Sequence, residues 1–235
     1  MSQVYLLEVN LRCFCSFLTG TQDAQMTIAA AVFDAFGTLV EIQRPTHPFR
    51  KLIQEGLRQG RKPQPDDLKV IMTHQLSLAE AASAFGISVN ADSLGRLEQS
   101  LENELASIRP FPDALCAVQM LQAADVQVGV CSNLASAYGP VIRQIFPYLN
   151  GYGFSYEVGV MKPDPAIYRA TYEKLGCTSC CDFESEGRVF MIGDSARCDR
   201  DGPRQVGGSG FLLHRGGKGD FSNLLEFAQV VLERK

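Results

Sequence analysis

The sequence lacks any long apolar run. No stretch approaches the ~20 residues that a membrane-spanning helix needs, so no membrane partner is expected. Clustered positive charge is also absent. The 22 Lys and Arg are scattered among 26 Asp and Glu, for a formal net charge of −4. That argues against nucleic acid or an anionic membrane surface as a partner. Histidine is scarce, at three residues, and the eight cysteines follow no regular spacing. Cys13 and Cys15 stand one residue apart, and Cys177, Cys180 and Cys181 form a loose cluster. A zinc site would need a second well-spaced ligand pair. The thiols are therefore expected to be reduced, in a cytoplasmic protein, with Cys131 acting as a small hydrophobe inside an apolar run. An export signal is missing too. Arg12 adjoins the apolar patch Phe14–Leu18, and no base precedes Val4–Leu7. Residues 1–25 are read as a dispensable N-terminal extension, open to disorder or to a start at Met26.

What is present is enough for a substantial core. Of the 235 residues, 46% are hydrophobic. A chain near this size buries roughly 70% of its unfolded surface. Ile28–Phe33 reads as a strand buried on both faces. Gly37–Ile42 reads as a tight turn and a short extended stretch, and Pro45 and Pro48 mark a linker. From Phe49 to Ile108 the pattern turns helical, with Phe49, Leu52, Ile53 and Leu57 on one face. Asp66-Asp67 is a helix start, and Leu94, Leu97, Leu101 and Leu105 form a second stripe. Arg109-Pro110-Phe111-Pro112 reads as a closing linker. Strand and helix then alternate. The expected elements are helix Ala114–Ala123, strand Val126–Cys131, helix Tyr138–Phe146 and an extended Phe154–Val158. Helix Asp164–Leu175, strand Arg188–Ile192, a helix near Asp201–Val206, strand Gly210–Leu213 and helix Phe221–Glu233 complete the chain. Such alternation predicts an α/β fold with a Rossmann-like parallel sheet. The core is assigned to residues 26–45 and 110–235, and an inserted α-helical cap subdomain to 46–109.

In open parallel sheets, ligands sit outside the carboxyl ends of the strands. Asp34 follows the first strand, Ser132-Asn133 ends another, and Gly193-Asp194 ends a third. Lys162 stands before a helix that Asp164 can cap. If the strands are neighbours, these groups meet in one crevice. Two carboxylates suit Mg²⁺, a hydroxyl and an ammonium suit an anionic small-molecule substrate, and a carboxylate can act as a nucleophile. Taken singly, each has a plainer reading: Asp34 and Ser132 as caps, Lys162 as a solvated cation.

The segments also carry a resemblance. Asp34-Ala35-Phe36-Gly37-Thr38-Leu39, Ser132-Asn133, Lys162-Pro163-Asp164-Pro165 and Gly193-Asp194-Ser195-Ala196-Arg197-Cys198-Asp199 occur in order. They resemble the four motifs of the haloacid dehalogenase-like superfamily, and the helical insert resembles its helical cap. The resemblance implies that Asp34 is the nucleophile. It implies Mg²⁺ held by Asp34, Asp194 and the Phe36 carbonyl, with Asp199 as ligand or neighbour. It also implies that Ser132 binds a substrate oxygen and that Lys162 offsets the crowded negative charge. Thr38 and Asn133 fall on the substrate side, with Thr38 ordering the turn around Asp34. In the cap, Arg50, Arg58 and Arg61 are candidate anion contacts, with Arg50 preferred.

One position departs from the phosphatase pattern. Phosphatases of this superfamily carry a second Asp two residues after the nucleophile, as acid and base; here it is Phe36. The superfamily's 2-haloacid dehalogenases carry an aromatic there, since halide leaves without a proton. Those enzymes use no metal, however, and have Ser and Asn where this chain has Asp194 and Ala196. Asp194 and Asp199 have little reason to coexist beside Asp34 without a cation. The leading expectation is Mg²⁺-dependent hydrolysis of a small phosphate ester or phosphoryl compound. The runner-up is metal-independent 2-haloacid dehalogenation. A third reading is a catalytically weak member that binds a ligand or partner. Monomer and homodimer are both compatible with the sequence.

Overall fold

The computed structural model of the protein describes residues 28–177 and 188–235. The expected extension 1–25 lies outside the described residues, as do Cys180 and Cys181. In chain order the strands are β1 (Ala30–Phe33), β2 (Val40–Ile42), β3 (Ile108–Pro110), β4 (Gln127–Ser132), β5 (Gly151–Phe154), β6 (Val189–Gly193) and β7 (Ser209–Leu212). The helices are α1 (Pro48–Arg58), α2 (Asp67–Thr73), α3 (Leu78–Ala84), α4 (Ala91–Leu105) and α5 (Pro112–Ala123). They continue as α6 (Gly139–Ile145), α7 (Ser155–Val158), α8 (Pro165–Lys174), α9 (Gly202–Arg204) and α10 (Leu224–Glu233). Among the described residues, five strands form a parallel sheet in the order β5-β4-β1-β6-β7.

The apolar run of β1 is buried on both sides, as a strand at the centre of a parallel sheet must be. Ala31 and Phe33 face one layer, built with Leu121 of α5 and Phe227 of α10. Ala30 and Val32 face the other, built with Ile167, Tyr168 and Tyr172 of α8. Phe33 pairs with Val130 on one flank and Ile192 on the other. That register brings the carboxyl ends of β4, β1 and β6 side by side.

The four helices α1 to α4 leave and rejoin the sheet through one stem. β2 and β3 pair antiparallel, with Val40 opposite Pro110 and Ile42 opposite Ile108. Part of the expected closing linker is therefore strand. Ser77 and Glu80 cap α3 reciprocally, and the Asn90 side chain accepts from Ser93 N at the start of α4. Leu94, Leu97 and Leu101 pack on a separate cluster with Phe49, Leu52, Ile71 and Leu78. Leu105, the last of the stripe, joins the sheet cluster instead.

Two expectations shift. The extended stretch expected at Phe154–Val158 lies earlier, at Gly151–Phe154, and Ser155–Val158 turns into helix. Ser155 points inward, and its Oγ accepts from Leu134 N at 3.0 Å. Thr171 packs so closely over Gly153 that a Cβ there would overlap it. The strand therefore contains glycine, which carries no strand signal. The helix expected near Asp201 is preceded by a π-helical turn, Ala196–Asp201, and α9 itself is only three residues long.

Candidate active site

β1 delivers Asp34, whose backbone N–H donates to the Ile192 carbonyl at 2.9 Å and so holds it at the rim of the sheet. β4 delivers Ser132, and β6 delivers Asp194. The π-helical turn after β6 swings Asp199 back over the strand end. Gly193 makes room for it, since a Cβ there would overlap the Asp199 carboxylate. Lys162 completes the group. Its ammonium donates to Asp34 Oδ1 at 2.7 Å, Asp199 Oδ1 at 2.7 Å and the Cys131 carbonyl at 2.8 Å. All three of its donors are thereby used. Asp199 Oδ2 accepts from Ser195 N at 2.9 Å.

Ligand oxygens of Asp34, Asp194 and Asp199 lie within 4.8 Å of one another. Asp34 and Asp199 are buried, and Asp194 faces out. One ammonium stands against three carboxylates. Burial works against the charge on Lys162, but Asp34 and Asp199 outweigh it and hold the lysine well above its ordinary range. Burial pushes Asp199 up to about 6, against the pull of Lys162. Asp194 is also raised, first by burial and then by the charge of Asp34. Like charges this close disfavour full ionisation unless a cation joins them. The donors are all hard oxygens, the set that Mg²⁺ takes. The backbone also comes close here. Gly37 sits at φ 80°, and a Cβ on it would overlap Asp194 Oδ2. The residues present fit a divalent cation, with Asp34, Asp194 and Asp199 as its holders.

The other residues expected at the site, Asn133, Thr38 and Arg50, take different positions around this group, and the first two are engaged or buried within the protein. Asn133 does not face open solvent with a free amide. Its Nδ2 donates to the Lys162 carbonyl at 3.0 Å and its Oδ1 accepts from Lys162 N at 2.7 Å. It therefore fixes the lysine's backbone. Thr38 is fully buried, and its hydroxyl has no hydrogen-bond partner. Its carbonyl accepts from Arg215 at 2.9 Å, and Arg215 also pairs with Asp113 at 2.8 Å. Phe36 and Asn133 line a cavity of about 630 Å³ between sheet rim and cap, and Arg50 lies on its cap side. Arg58 pairs with Glu55, and Arg61 with Asp67.

One group at the cavity escaped the sequence reading. Glu104, at the end of α4, is 2% exposed. Its carboxylate accepts from Tyr138 Oη at 2.6 Å, from His47 N at 2.6 Å, from Thr46 Oγ1 at 3.0 Å and from Thr46 N. His47 has φ 55°, a left-handed conformation unusual for a residue with a side chain. Glu104 pins that bend at the entry to the cap. Tyr138 in turn meets the Phe36 ring edge-on at 5.6 Å. No local pattern announces Glu104, because it sits where a solvent-facing acid would also be written.

A family model described as haloacid dehalogenase-like hydrolase matches residues 28–207. Solved structures share the fold. A phosphatase of this family from Thermococcus onnurineus is 19% identical, with a TM-score of 0.56, 87% of this chain and 98% of that chain covered. An L-2-haloacid dehalogenase from Xanthobacter autotrophicus, with chloropropionic acid covalently bound, is 18% identical at TM-score 0.56, covering 88% and 99%. A family enzyme from Bacteroides thetaiotaomicron, in complex with magnesium and inorganic phosphate, is 16% identical at TM-score 0.56, covering 81% and 96%. No curated protein sequence matches the chain significantly.

Proposed function

The chain belongs to the haloacid dehalogenase-like hydrolase family, and from that premise we propose that it is a Mg²⁺-dependent phosphohydrolase with Asp34 as nucleophile. The observation that carries the reading is Asp194. Its carboxylate lies with those of Asp34 and Asp199, within 4.8 Å, and no ion pair joins it among the described residues. A site meant to work without a cation gains nothing from this extra acid. It would repel both the nucleophile and an anionic substrate.

When bound, Mg²⁺ would supply neutralisation of the charge on the transferring phosphoryl group. Lys162 holds Asp34 Oδ1 and leaves Oδ2 to act as the nucleophile. Asn133 keeps Lys162 at that distance by gripping its backbone on both sides. The Ser132 hydroxyl, at the end of β4, would donate to a phosphoryl oxygen. Phe36 supplies no proton to the leaving group, so esters with good leaving groups are favoured. Residues 46–109 act as the cap that closes the crevice against water. No helix among the described residues is long and apolar enough to cross a membrane. We assign the cytoplasm as the working compartment, where reduced thiols such as those of Cys116, Cys131 and Cys198 persist.

Phosphate release from p-nitrophenyl phosphate tests the reading. It is expected to stop with EDTA and with Asp34→Asn. The second reading, metal-independent 2-haloacid dehalogenation, rests on the aromatic Phe36. Chloride release from 2-chloropropionate that ignores EDTA would establish it in place of the first.

A further inference from the structure

The buried polar groups that line the cavity between rim and cap are already hydrogen-bonded within the protein. Its volume, about 630 Å³, is in the ordinary range for a small-molecule site. It adjoins the reaction centre, because Phe36, two residues after Asp34, and Asn133, next to Ser132, form part of its wall, although Asp34, Ser132 and Lys162 themselves do not. The rest of the wall is largely apolar, with Phe49, Ile53, Leu68, Ile71 and Met72 from α1 and α2.

The polar members of the lining have little left to offer a ligand. Both oxygens of Glu104 are taken by Thr46, His47 and Tyr138. Both oxygens of Asp67 are taken by Arg61, at 2.7 and 2.6 Å. Arg61 is consumed in the same contact and donates its Nε to the Phe85 carbonyl at 2.8 Å. The amide of Asn133 is closed onto Lys162. Tyr138 donates its one proton to Glu104. The polar side chains of the lining that keep free capacity, Arg50, His47 and Gln64, are exposed to solvent.

A ligand rich in hydroxyls would leave its water behind in such a cavity and find few partners in return, at a cost for each group left unpaired. A flat apolar group would shed water from its own surface and from the wall at once. Phe36 points the same way. With no acid beside the nucleophile, the leaving oxygen must depart as an anion, which a phenolic oxygen does far more readily than an alkyl one.

We propose that the cavity is the subsite for the leaving group and that the substrate is an aryl phosphate monoester, rather than a sugar or other polyhydroxylated phosphate. The proposal rests on the phosphohydrolase reading above. The step balances without a further reactant beyond water. An Asp34 oxygen forms a bond to phosphorus while the bond from phosphorus to the aryl oxygen breaks. The electron pair stays on the aryloxide, which takes a proton from solvent. Water then displaces Asp34 from phosphorus, giving inorganic phosphate and the free carboxylate.

Binding separates the cavity's contribution from that of leaving-group chemistry. Three non-hydrolysable probes are titrated into the full chain with Mg²⁺, by calorimetry: methylphosphonate, 1-naphthylmethylphosphonate and a polyhydroxylated alkylphosphonate of matching size. The naphthyl probe is expected to bind about tenfold or more tighter than methylphosphonate, from the apolar area it buries. The polyhydroxylated probe should gain nothing. Met72→Trp, which fills the cavity, and Leu68→Lys, which charges its wall at an exposed position, should each erase the naphthyl advantage. Equal affinity for all three probes, or an advantage for the hydroxylated one, overturns the aryl assignment and leaves the phosphoryl reading standing. Retention of the naphthyl advantage in both folded variants removes it from this cavity. Failure of every phosphonate to bind, with no phosphate released from acetyl phosphate, overturns the phosphoryl reading itself.

Discussion

Replacing Phe36 by Asp restores a carboxylic acid beside the nucleophile, and the structure sets both the gain and the cost. Phe36 lies two residues after Asp34 and faces the cavity where a leaving group would sit. An acid there can protonate a departing alkoxide, an effect worth roughly 10²–10⁴ in rate. The gain applies to poor leaving groups, which need the proton. An aryloxide leaves without it, so aryl esters gain little and lose an apolar wall. The cost is local. The edge-on contact with Tyr138 at 5.6 Å is lost, about 0.5–1.5 kcal/mol beyond area burial. Part of the ring is also lost from the cavity lining. That loss is small against typical domain stabilities of about 5–15 kcal/mol, so the variant should remain folded. The assay is kcat/KM for a series of phosphate monoesters ordered by leaving-group pKa, with wild type and variant in parallel. The wild type is expected to fall steeply along the series, and Phe36→Asp should flatten it and raise the alkyl end by about a hundredfold. An unchanged slope with a folded variant would refute the role given to position 36.

Lys162→Met should remove phosphatase activity and cost about 3–5 kcal/mol of stability in urea at neutral pH, because two buried carboxylates lose their shared cation. A near-neutral change would mean that Asp34 and Asp199 are not held by it. Glu104 is opposed by burial, yet the Tyr138 hydroxyl and the Thr46 and His47 amides hold its carboxyl below its ordinary value of 4.5. Its contribution to stability is thus present above that value and is lost as the pH falls through the lower folded one. Glu104→Gln should destabilise at neutral pH by about 1–3 kcal/mol and flatten the acid limb of the stability profile. Identical acid limbs for variant and wild type would contradict this. Gly37→Ala should weaken Mg²⁺ binding in a titration, because the new methyl displaces Asp194. Gly60→Ala, at a similar φ but in open space, should bear only the backbone strain of about 1–2 kcal/mol. Equal Mg²⁺ affinity in both variants would count against the role of Asp194.

The parts of this molecule visible in its sequence are those fixed by neighbours in the chain. β1 announced itself through an unbroken apolar run, and Asp34, Ser132 and Asp194 through their place directly after such runs. Lys162 and Asp199 were less visible, because they stand on connections rather than strand ends. Lys162 entered through its place before a helix that Asp164 can cap, and Asp199 through the resemblance to a known family. Their contact across 37 positions depends on the π-helical turn, which no periodicity marks. Glu104 was invisible for the same reason. Its four donors come from Thr46, His47 and Tyr138, far away along the chain. β5 was misplaced because Thr171 excludes a side chain at Gly153, and with glycine also at 151 half of the strand's positions carry no side chain to read. The stripe on α4 was legible as a face, but not that its last leucine would pack on the sheet cluster.

The central claim is that Asp34 becomes covalently phosphorylated during turnover. The direct measurement is rapid acid quench of the protein with Mg²⁺ and an aryl phosphate, followed by mass spectrometry of its peptides. A phosphoryl adduct on Asp34, absent with EDTA, is the expected result. Phosphate release without any adduct at Asp34 on the timescale of the first turnover, or an adduct on another residue, would contradict it.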